Sequence, residues 1–422
     1  MLASLQALPE QVEFDVVIVG AGMVGASAAI GLKQLGLNVV LLDAFAFSEA
    51  VPGYTPSYDE RSTALSWGTR EILETLAVWP HIADKACAIK EVHVSEKNRF
   101  ATARIHASDY HQDALGYVVS NQWLGHCLLS RVQAMEIPLY AGVKVGRVQP
   151  GKKQEVTLQS ISDVDIRKTI LTRLLIIADG SESETARMLG IDYHIEAYQQ
   201  HAIIANVTTE LANQGRAFER FTPTGPLAFL PLSNHQSAVV WTHPQEDVGA
   251  FMQMSDEAFC RALENSFGER LGKVEHCGKR ISYPLKLLQA KEQCRAGVLV
   301  LGNAAHGLHP VAGQGFNLAI RGVAASIENI SNCLAAGKPF ESLENLRQLC
   351  QQRQVDQTKT IVFSDQLIKI FGNTSRVLSL LRELGLAGLD NMPFLKSLFA
   401  AQAMGLAERK IVMASVGKHH AR

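Results

Sequence analysis

The chain has 422 residues, 47% hydrophobic and 19% charged, enough apolar material for a large core and more than one folding unit. Lys and Arg number 40 against 41 Asp and Glu, and the net charge of −1 leaves no electrostatic footprint for nucleic acid. The cysteines (Cys87, Cys127, Cys260, Cys277, Cys294, Cys333 and Cys350) are scattered, with no CxxC and no metal-ligand spacing, so no metal site and reduced, cytosolic thiols are expected.

Met1 to Phe14 lacks a basic n-region and a long apolar core, so no secretory signal is expected. Two uncharged runs, Val16 to Leu32 and Ala296 to Ile320, are glycine-rich and read as strand–turn–helix units rather than membrane spans. The first of them opens the chemistry. The apolar strand ending at Val19 runs into Gly20-Ala-Gly22-Met-Val-Gly25, then a small-residue helix that Gly36 closes. A second strand, Val39 to Asp43, ends in an acid. Gly20 makes the tight turn, Gly22 lets the backbone reach a pyrophosphate and Gly25 brings helix and strand together. The helix N-terminus faces the phosphates, and Asp43 can accept hydrogen bonds from a ribose. A dinucleotide site is predicted here; the plain alternative for Asp43 is an exposed strand-end acid.

Arg61, in Asp59-Glu60-Arg61, is predicted either to reach cofactor or substrate or to pair with Asp59 at a helix start. Short strands follow around Val92 and Val94 and around Ala103 and Ile105, and Gly116 to Leu124 leads into a helix from Leu124 to Met135. Leu174 to Gly180 is another buried strand, ending in Asp179-Gly180 where α/β sheets bind ligands.

From His201 to Tyr283 strands alternate: Ala202 to Val207, Ala217 to Phe221, Leu227 to Leu232 and Ala238 to Trp241, with one amphipathic helix, Asp256 to Phe267. This predicts an inserted antiparallel-sheet domain. The chain then returns to a parallel strand at Val298 and turns through Gly302-Asn303-Ala-Ala-His306 to His309-Pro310. A second turn, Gly313-Gln-Gly315, opens a helix at Phe316-Asn317. Glycines one residue apart admit a flat ligand close to the backbone, and the helix start offers unpaired N–H groups. The tail is predicted helical: Leu343 to Phe371, Arg376 to Leu389, and Pro393 to Glu408, packed on the body or facing a membrane or partner.

With these elements in order, the chain resembles the FAD-dependent aromatic hydroxylases, the group A flavin monooxygenases. Their three markers stand here as GAGMVG at Gly20 to Gly25, ADGSES at Ala178 to Ser183, and GNAAHGLHPVAGQGFN at Gly302 to Asn317. The runs DERSTALS, GRAFERFTPTGPLAFLPL and HPVAGQGFNLAIR make it similar to the ubiquinone-biosynthesis subfamily, with 2-polyprenyl-6-methoxyphenol as the implied substrate. The resemblance implies an α/β fold with a discontinuous Rossmann-like FAD domain (residues 1–85, 106–195 and 284–338). It also implies an inserted antiparallel-sheet substrate domain (86–105 and 196–283) and a helical C-terminal region (339–422). FAD would be held by Gly20, Gly22, Gly25, Asp43, Gln122, Asp179, Gly180, Gly302, Asn303, Gly313, Gly315 and Asn317. Pro310, His309 and Arg61 are the expected catalytic residues, and His306 is expected to be structural.

NAD(P)H would reduce the flavin as a transient co-substrate, since no second GxGxxG unit is present, and a C4a-hydroperoxide would hydroxylate the phenol with O2. The alternatives are hydroxylation at another ring position or a non-hydroxylating flavin reductase of a prenyl lipid. A cytoplasmic protein held peripherally on the inner face of the membrane, or in a ubiquinone-biosynthesis complex, is implied, with homo-oligomers allowed. Asn303 replaces the family's aspartate, which predicts FAD binding weaker by roughly tenfold. Ala186 stands where an arginine is usual, with Arg187 one place late, and Gly322 where an acid is common.

Overall fold

The computed structural model describes residues 5–9, 11–46, 61–99, 102–163, 166–307 and 314–371. β1 (Gln11–Val19), α1 (Met23–Gln34) and β2 (Val39–Asp43) open the chain. β3 (Ser62–Ser66), α2 (Trp67–Thr75), α3 (Trp79–Ile82), β4 (Cys87–Ile89), β5 (Glu91–Glu96), β6 (Thr102–His106), β7 (Gly116–Ser120) and α4 (Asn121–Ala134) follow. Next come β8 (Leu139–Ala141), β9 (Val143–Gln149), β10 (Gln154–Ser160), β11 (Arg167–Ile177) and α5 (Glu184–Met188). The second half holds β12 (Tyr193–Thr209), β13 (Arg216–Thr222), β14 (Gly225–Pro231), β15 (Gln236–Pro244), α6 (Gln245–Gln253) and α7 (Asp256–Phe267). β16 (Val274–Cys277), β17 (Ile281–Ala290), β18 (Cys294–Arg295), β19 (Val298–Val300), β20 (His306–Gly307), α8 (Gln314–Ala335) and α9 (Leu343–Phe371) complete it.

The first sheet runs β18-β19-β11-β1-β2-β8, with β10 and β9 added off β11. β1 pairs in parallel with both β2 and β11, and β11 in parallel with β19. Val16, Val17 and Ile18 are fully buried, because helices and loops cover both faces of a central parallel strand, which accounts for their unbroken apolar run. One face packs on α1, α4 and α8; the other is closed by β9, β10 and the segment after β11. Gly31 lets α1 and α8 cross closely, since a Cβ there would press on Ile327.

The second sheet runs β20-β17-β12-β15-β14-β13-β5-β6, with β16 beside β12. It is antiparallel except at one seam, where β13 lies parallel to β5 with Arg216 opposite Glu91. That exception arises because β5 and β6 come from early in the chain and join the edge of a sheet otherwise built from late strands. α7 covers one face, burying Phe259, Leu263 and Phe267 against Phe218, Phe229 and Trp241. A third, three-stranded sheet, β3-β7-β4, lies against the other face through Val118 and Leu115.

Several elements differ from their predicted bounds. The helix expected from Leu124 begins at Asn121, since Ser120 caps it by accepting the Trp123 N–H at 3.2 Å. The strand expected over Ala202 to Val207 extends from Tyr193 to Thr209, its polar first half paired with β17. The helices Asp256–Phe267 and Leu343–Phe371 stand as predicted. The tail helices predicted beyond residue 371 lie outside the described residues. No helix among the described residues is long and apolar enough to cross a membrane.

Candidate active site

The parallel strands β1, β2, β11 and β19 end on one side of the first sheet, and the predicted motif residues collect there. Gly20 has φ of +99°, and its N–H donates to the Leu42 carbonyl at 2.8 Å. A Cβ at Gly20 would sit 2.8 Å from the Asp179 Cα, so only glycine lets the first and second motifs lie against each other. The Ala178 N–H ties the two turns by donating to the Val19 carbonyl at 2.8 Å. Gly22 is the N-cap of α1 without a side chain to close it, and Gly25 packs so tightly that a Cβ would strike the Gly20 carbonyl.

Asp43 is buried rather than exposed. Its Oδ2 accepts the Ala21 N–H at 2.7 Å and its Oδ1 the Phe45 N–H at 2.8 Å. Burial pushes its carboxyl up, those two backbone bonds oppose the shift, and the neighbouring Asp179 adds to it. Each oxygen keeps acceptor capacity for a hydroxyl group. Asp179 is likewise pushed up by burial, with Ser183 and Thr185 opposing. The Thr185 N–H donates to its Oδ2 at 3.4 Å, while its Oδ1 is buried without a hydrogen bond. Gly180, at φ of +96°, turns the chain away after it.

Gly302 has φ of +62° and touches Val24 of α1, which brings the end of β19 to the first turn. Asn303 stands exposed on the short 3-10 turn that follows. Gln122 is exposed in the first turn of α4, and Gly315 lies in the first turn of α8. Asn317, expected at the cofactor, is buried and committed to the protein. Its Oδ1 accepts the Ser66 N–H at 2.9 Å and the Thr69 hydroxyl at 2.7 Å, and its Nδ2 donates to the Ala64 carbonyl at 2.9 Å. It anchors the start of α8 to β3 and α2. His309, Pro310 and Gly313 lie outside the described residues.

Arg61 joins the two halves. Its carbonyl accepts the Asn121 N–H at 2.8 Å, and its guanidinium lies 4.5 Å from the ring centroid of Tyr283 on β17. His306 is buried with neither ring nitrogen hydrogen-bonded, and burial, helped by Arg353, holds it down to about 4. A neutral, packed imidazole matches the structural role expected of it. The offset near the second motif also has a physical reason: Ala186 is fully buried in the core of the first sheet, while Arg187 is exposed.

A family model described as an FAD binding domain matches residues 13–345. The chain is 31% identical over 393 residues to the ubiquinone hydroxylase UbiL of Rhodospirillum rubrum, covering 93% of this chain and 89% of that one. It is 28% identical over 400 residues to the 3-demethoxyubiquinol 3-hydroxylase of Escherichia coli, covering 93% and 98%. The chain belongs to the FAD-dependent aromatic hydroxylase family. Two solved folds are similar throughout: p-nitrophenol 4-monooxygenase PnpA from Pseudomonas putida DLL-E4, at TM-score 0.73 and 16% identity over 95% of this chain and 100% of that one, and PqsL of P. aeruginosa in complex with 2-aminobenzoylacetate, at 0.74 and 20% over 88% and 100%.

The residues of this flavin monooxygenase fit its cofactor. Gly20, Gly25 and Gly302 let the three turns pack where any Cβ would clash, and Asp43 and the unpaired Asp179 oxygen stand beside them as acceptors for cofactor hydroxyls. No group of acidic, histidine or cysteine side chains suited to a metal occurs among the described residues. One residue that the sequence reading did not single out is Glu219, on β13 inside the run AFERFT. Phe218 and Arg220 face α7, Arg220 donating to the Ser266 carbonyl at 3.0 Å, so alternation turns Glu219 to the opposite face. The signal was present in the pattern: one acid between aromatic residues on a strand whose other face is core.

Proposed function

We propose that this flavin monooxygenase hydroxylates the ring of a polyprenylated phenol, 2-polyprenyl-6-methoxyphenol, in ubiquinone biosynthesis, with NAD(P)H and O2 as co-substrates. The observation that carries the reading is the wall that the second sheet turns toward the cofactor half. Its cross-strand row Ile281, Ile204, Val240, Ala228, Glu219, Val94 and Ala103 is apolar but for one carboxyl. Arg61 and Tyr283 stand at its far edge. Such a wall suits a hydrophobic ring with a long alkyl substituent and one polar group. The similarity to proteins named as ubiquinone hydroxylases supports the same class of substrate.

Bound FAD, reduced by NAD(P)H, supplies the activated oxygen. The chain's own residues do the rest. The glycine turns would admit the pyrophosphate, Asp43 and Asp179 would take ribose and ribityl hydroxyls, and Gly180, Gly302, Asn303 and Gln122 would complete the cofactor site. Pro310 and the Gly313 to Gly315 backbone would line the flavin ring, with His309 on the substrate side. Arg61 closes the gap between the halves, and the apolar wall keeps water from the reacting centre. A tail of roughly forty carbons would cost on the order of 30 kcal/mol if left in water. The enzyme therefore works at a membrane surface or inside a protein assembly, through the carboxyl-terminal segment Pro393 to Arg422.

A second reading, hydroxylation at another carbon of the same ring, is favoured by the similarity to the 3-demethoxyubiquinol 3-hydroxylase of E. coli. A quinone-lipid extract of cells lacking the gene, grown in air, separates the two. Polyprenyl-methoxyphenol accumulates with little ubiquinone under the first reading; a later intermediate accumulates under the second; normal ubiquinone refutes both.

A further inference from the structure

The wall carries one ionisable group in an otherwise apolar row, and its surroundings define what it can do. Glu219 pairs across the sheet with Val94 on β5 and Ala228 on β14, which pair in turn with Ala103 and Val240. Its own-strand neighbours on that face are Ala217 and Phe221, both buried. Among the described residues no group is hydrogen-bonded to the carboxyl. Burial alone pushes it up to about 7, so no cation offsets the loss of water. Yet Glu219 is only half-buried, in contrast to Ala217 and Phe221 on either side. The Glu219 side chain is thus part-accessible where its strand neighbours on the same face are packed away.

Arg61 lies on this face, stacked on Tyr283 at the other edge. Tyr283 lies four strands from β13, about 19 Å at the usual strand spacing, too far for an ion pair. The titratable groups on the same face are Glu96 on β5, Tyr110 after β6, and Arg61 with Tyr283. Glu96 and the two tyrosines carry no positive charge and Arg61 lies too far, so among the described residues on this face none offsets the Glu219 charge.

We infer that Glu219 is a catalytic residue that accepts the proton of the substrate's phenolic hydroxyl as the ring is hydroxylated. The assignment rests on the phenol reading above. The O–H bond breaks, the proton passes to a Glu219 oxygen, and the electron pair stays on the phenolic oxygen and enriches the ring carbons ortho and para to it. Once the ring carbon carries its new oxygen and has lost its hydrogen as a proton to solvent, Glu219 returns its proton to the phenolate. The residue ends as it began, and the reductant and oxidant are those of the parent reaction, NAD(P)H and O2. An ordinary phenol titrates near 10, so raising the base from 4.5 to about 7 improves the match roughly 300-fold.

The test uses the holoenzyme and a 2-methoxyphenol carrying one isoprenyl group, with hydroxylated product counted separately from NAD(P)H consumed. For wild type, kcat/KM rises with pH through a group near 7. For Glu219→Gln, product formation falls by about 10²- to 10³-fold and that limb disappears, while the FAD content and visible spectrum stay those of wild type. Glu219→Asp restores part of the rate. A wild-type profile flat from about pH 6 to 9, or a Glu219→Gln enzyme with unchanged product rate, overturns the assignment while leaving the phenol reading intact. A wild type that turns over no phenol overturns that reading, and this assignment with it.

Discussion

Asn303 is proposed to hold FAD with an amide where the family carries an aspartate. It stands exposed on the turn after β19, beside the glycine that touches α1. An amide there gives a neutral hydrogen bond of about 0.5–1.5 kcal/mol, where a carboxylate gives about 1.5–3. Asn303→Asp is expected to tighten FAD by roughly tenfold, measured by flavin fluorescence on titration of apoprotein; equal affinity would deny Asn303 contact with the cofactor. Asn317 behaves differently. Its amide holds Ser66, Thr69 and Ala64, so Asn317→Ala leaves buried backbone groups unpaired. A loss of about 2–4 kcal/mol is expected in denaturant melts of the FAD-free protein, where a residue acting only on cofactor would change nothing. Both residues sit in the same sequence motif. The motif made the location legible but not the partner, because which way an amide points is decided by β3 and α2, some 250 residues earlier in the chain.

At the level of elements, α8 and α9 carry a polar seam in an apolar interface. Arg321 pairs with Asp356 through two bonds of 2.8 and 2.7 Å and reaches Thr360 at 3.1 Å. Arg353 is buried beside them with Nη1 and Nη2 unpartnered, and burial holds its guanidinium down. It fits because residue 322 is glycine: a Cβ would meet the Arg353 Cζ at 2.8 Å. With glycine at 322, the buried Arg353 draws for counter-charge on Asp356, which Arg321 already engages through two hydrogen bonds. Arg353→Met is expected to stabilise the protein by about 1–4 kcal/mol in chemical denaturation; a loss of stability would mean the guanidinium is satisfied. The helices themselves were legible where caps and apolar spacing coincide. α7 follows Ser255, whose Oγ accepts the Ala258 N–H at 3.2 Å, and stops at Gly268 with φ of +86°. The parallel seam of β5 and β13 was not legible, since nothing local ties strands about 120 residues apart.

Across the whole molecule, the alternation of strand and helix and the order of three glycine motifs were enough to read the α/β class and the flavin family. The raised carboxyl of Glu219 was not, because depth is a property of the assembled sheets. The same depth sets the response to acid. His93, His243 and His306 are buried and each is held down to about 4, first by burial. The unfolded chain protonates them near 6.5 and the folded one does not, so stability falls as pH drops from about 6.5 to 4, by up to about 3 kcal/mol per histidine. Glu219, pushed up to about 7, opposes this in part, since the folded state binds its proton more readily. Thermal melts across that window should show falling Tm, with a shallower slope for His306→Leu.

The most direct test of the flavin hydroxylase account is oxygen tracing. The purified, FAD-loaded protein is given NAD(P)H, the short-chain 2-methoxyphenol and ¹⁸O2, and the product is weighed by mass spectrometry. One labelled oxygen in a new ring hydroxyl, formed only with all three present, is the predicted result. A product carrying no label, or consumption of NAD(P)H with the phenol returned unchanged, would contradict it.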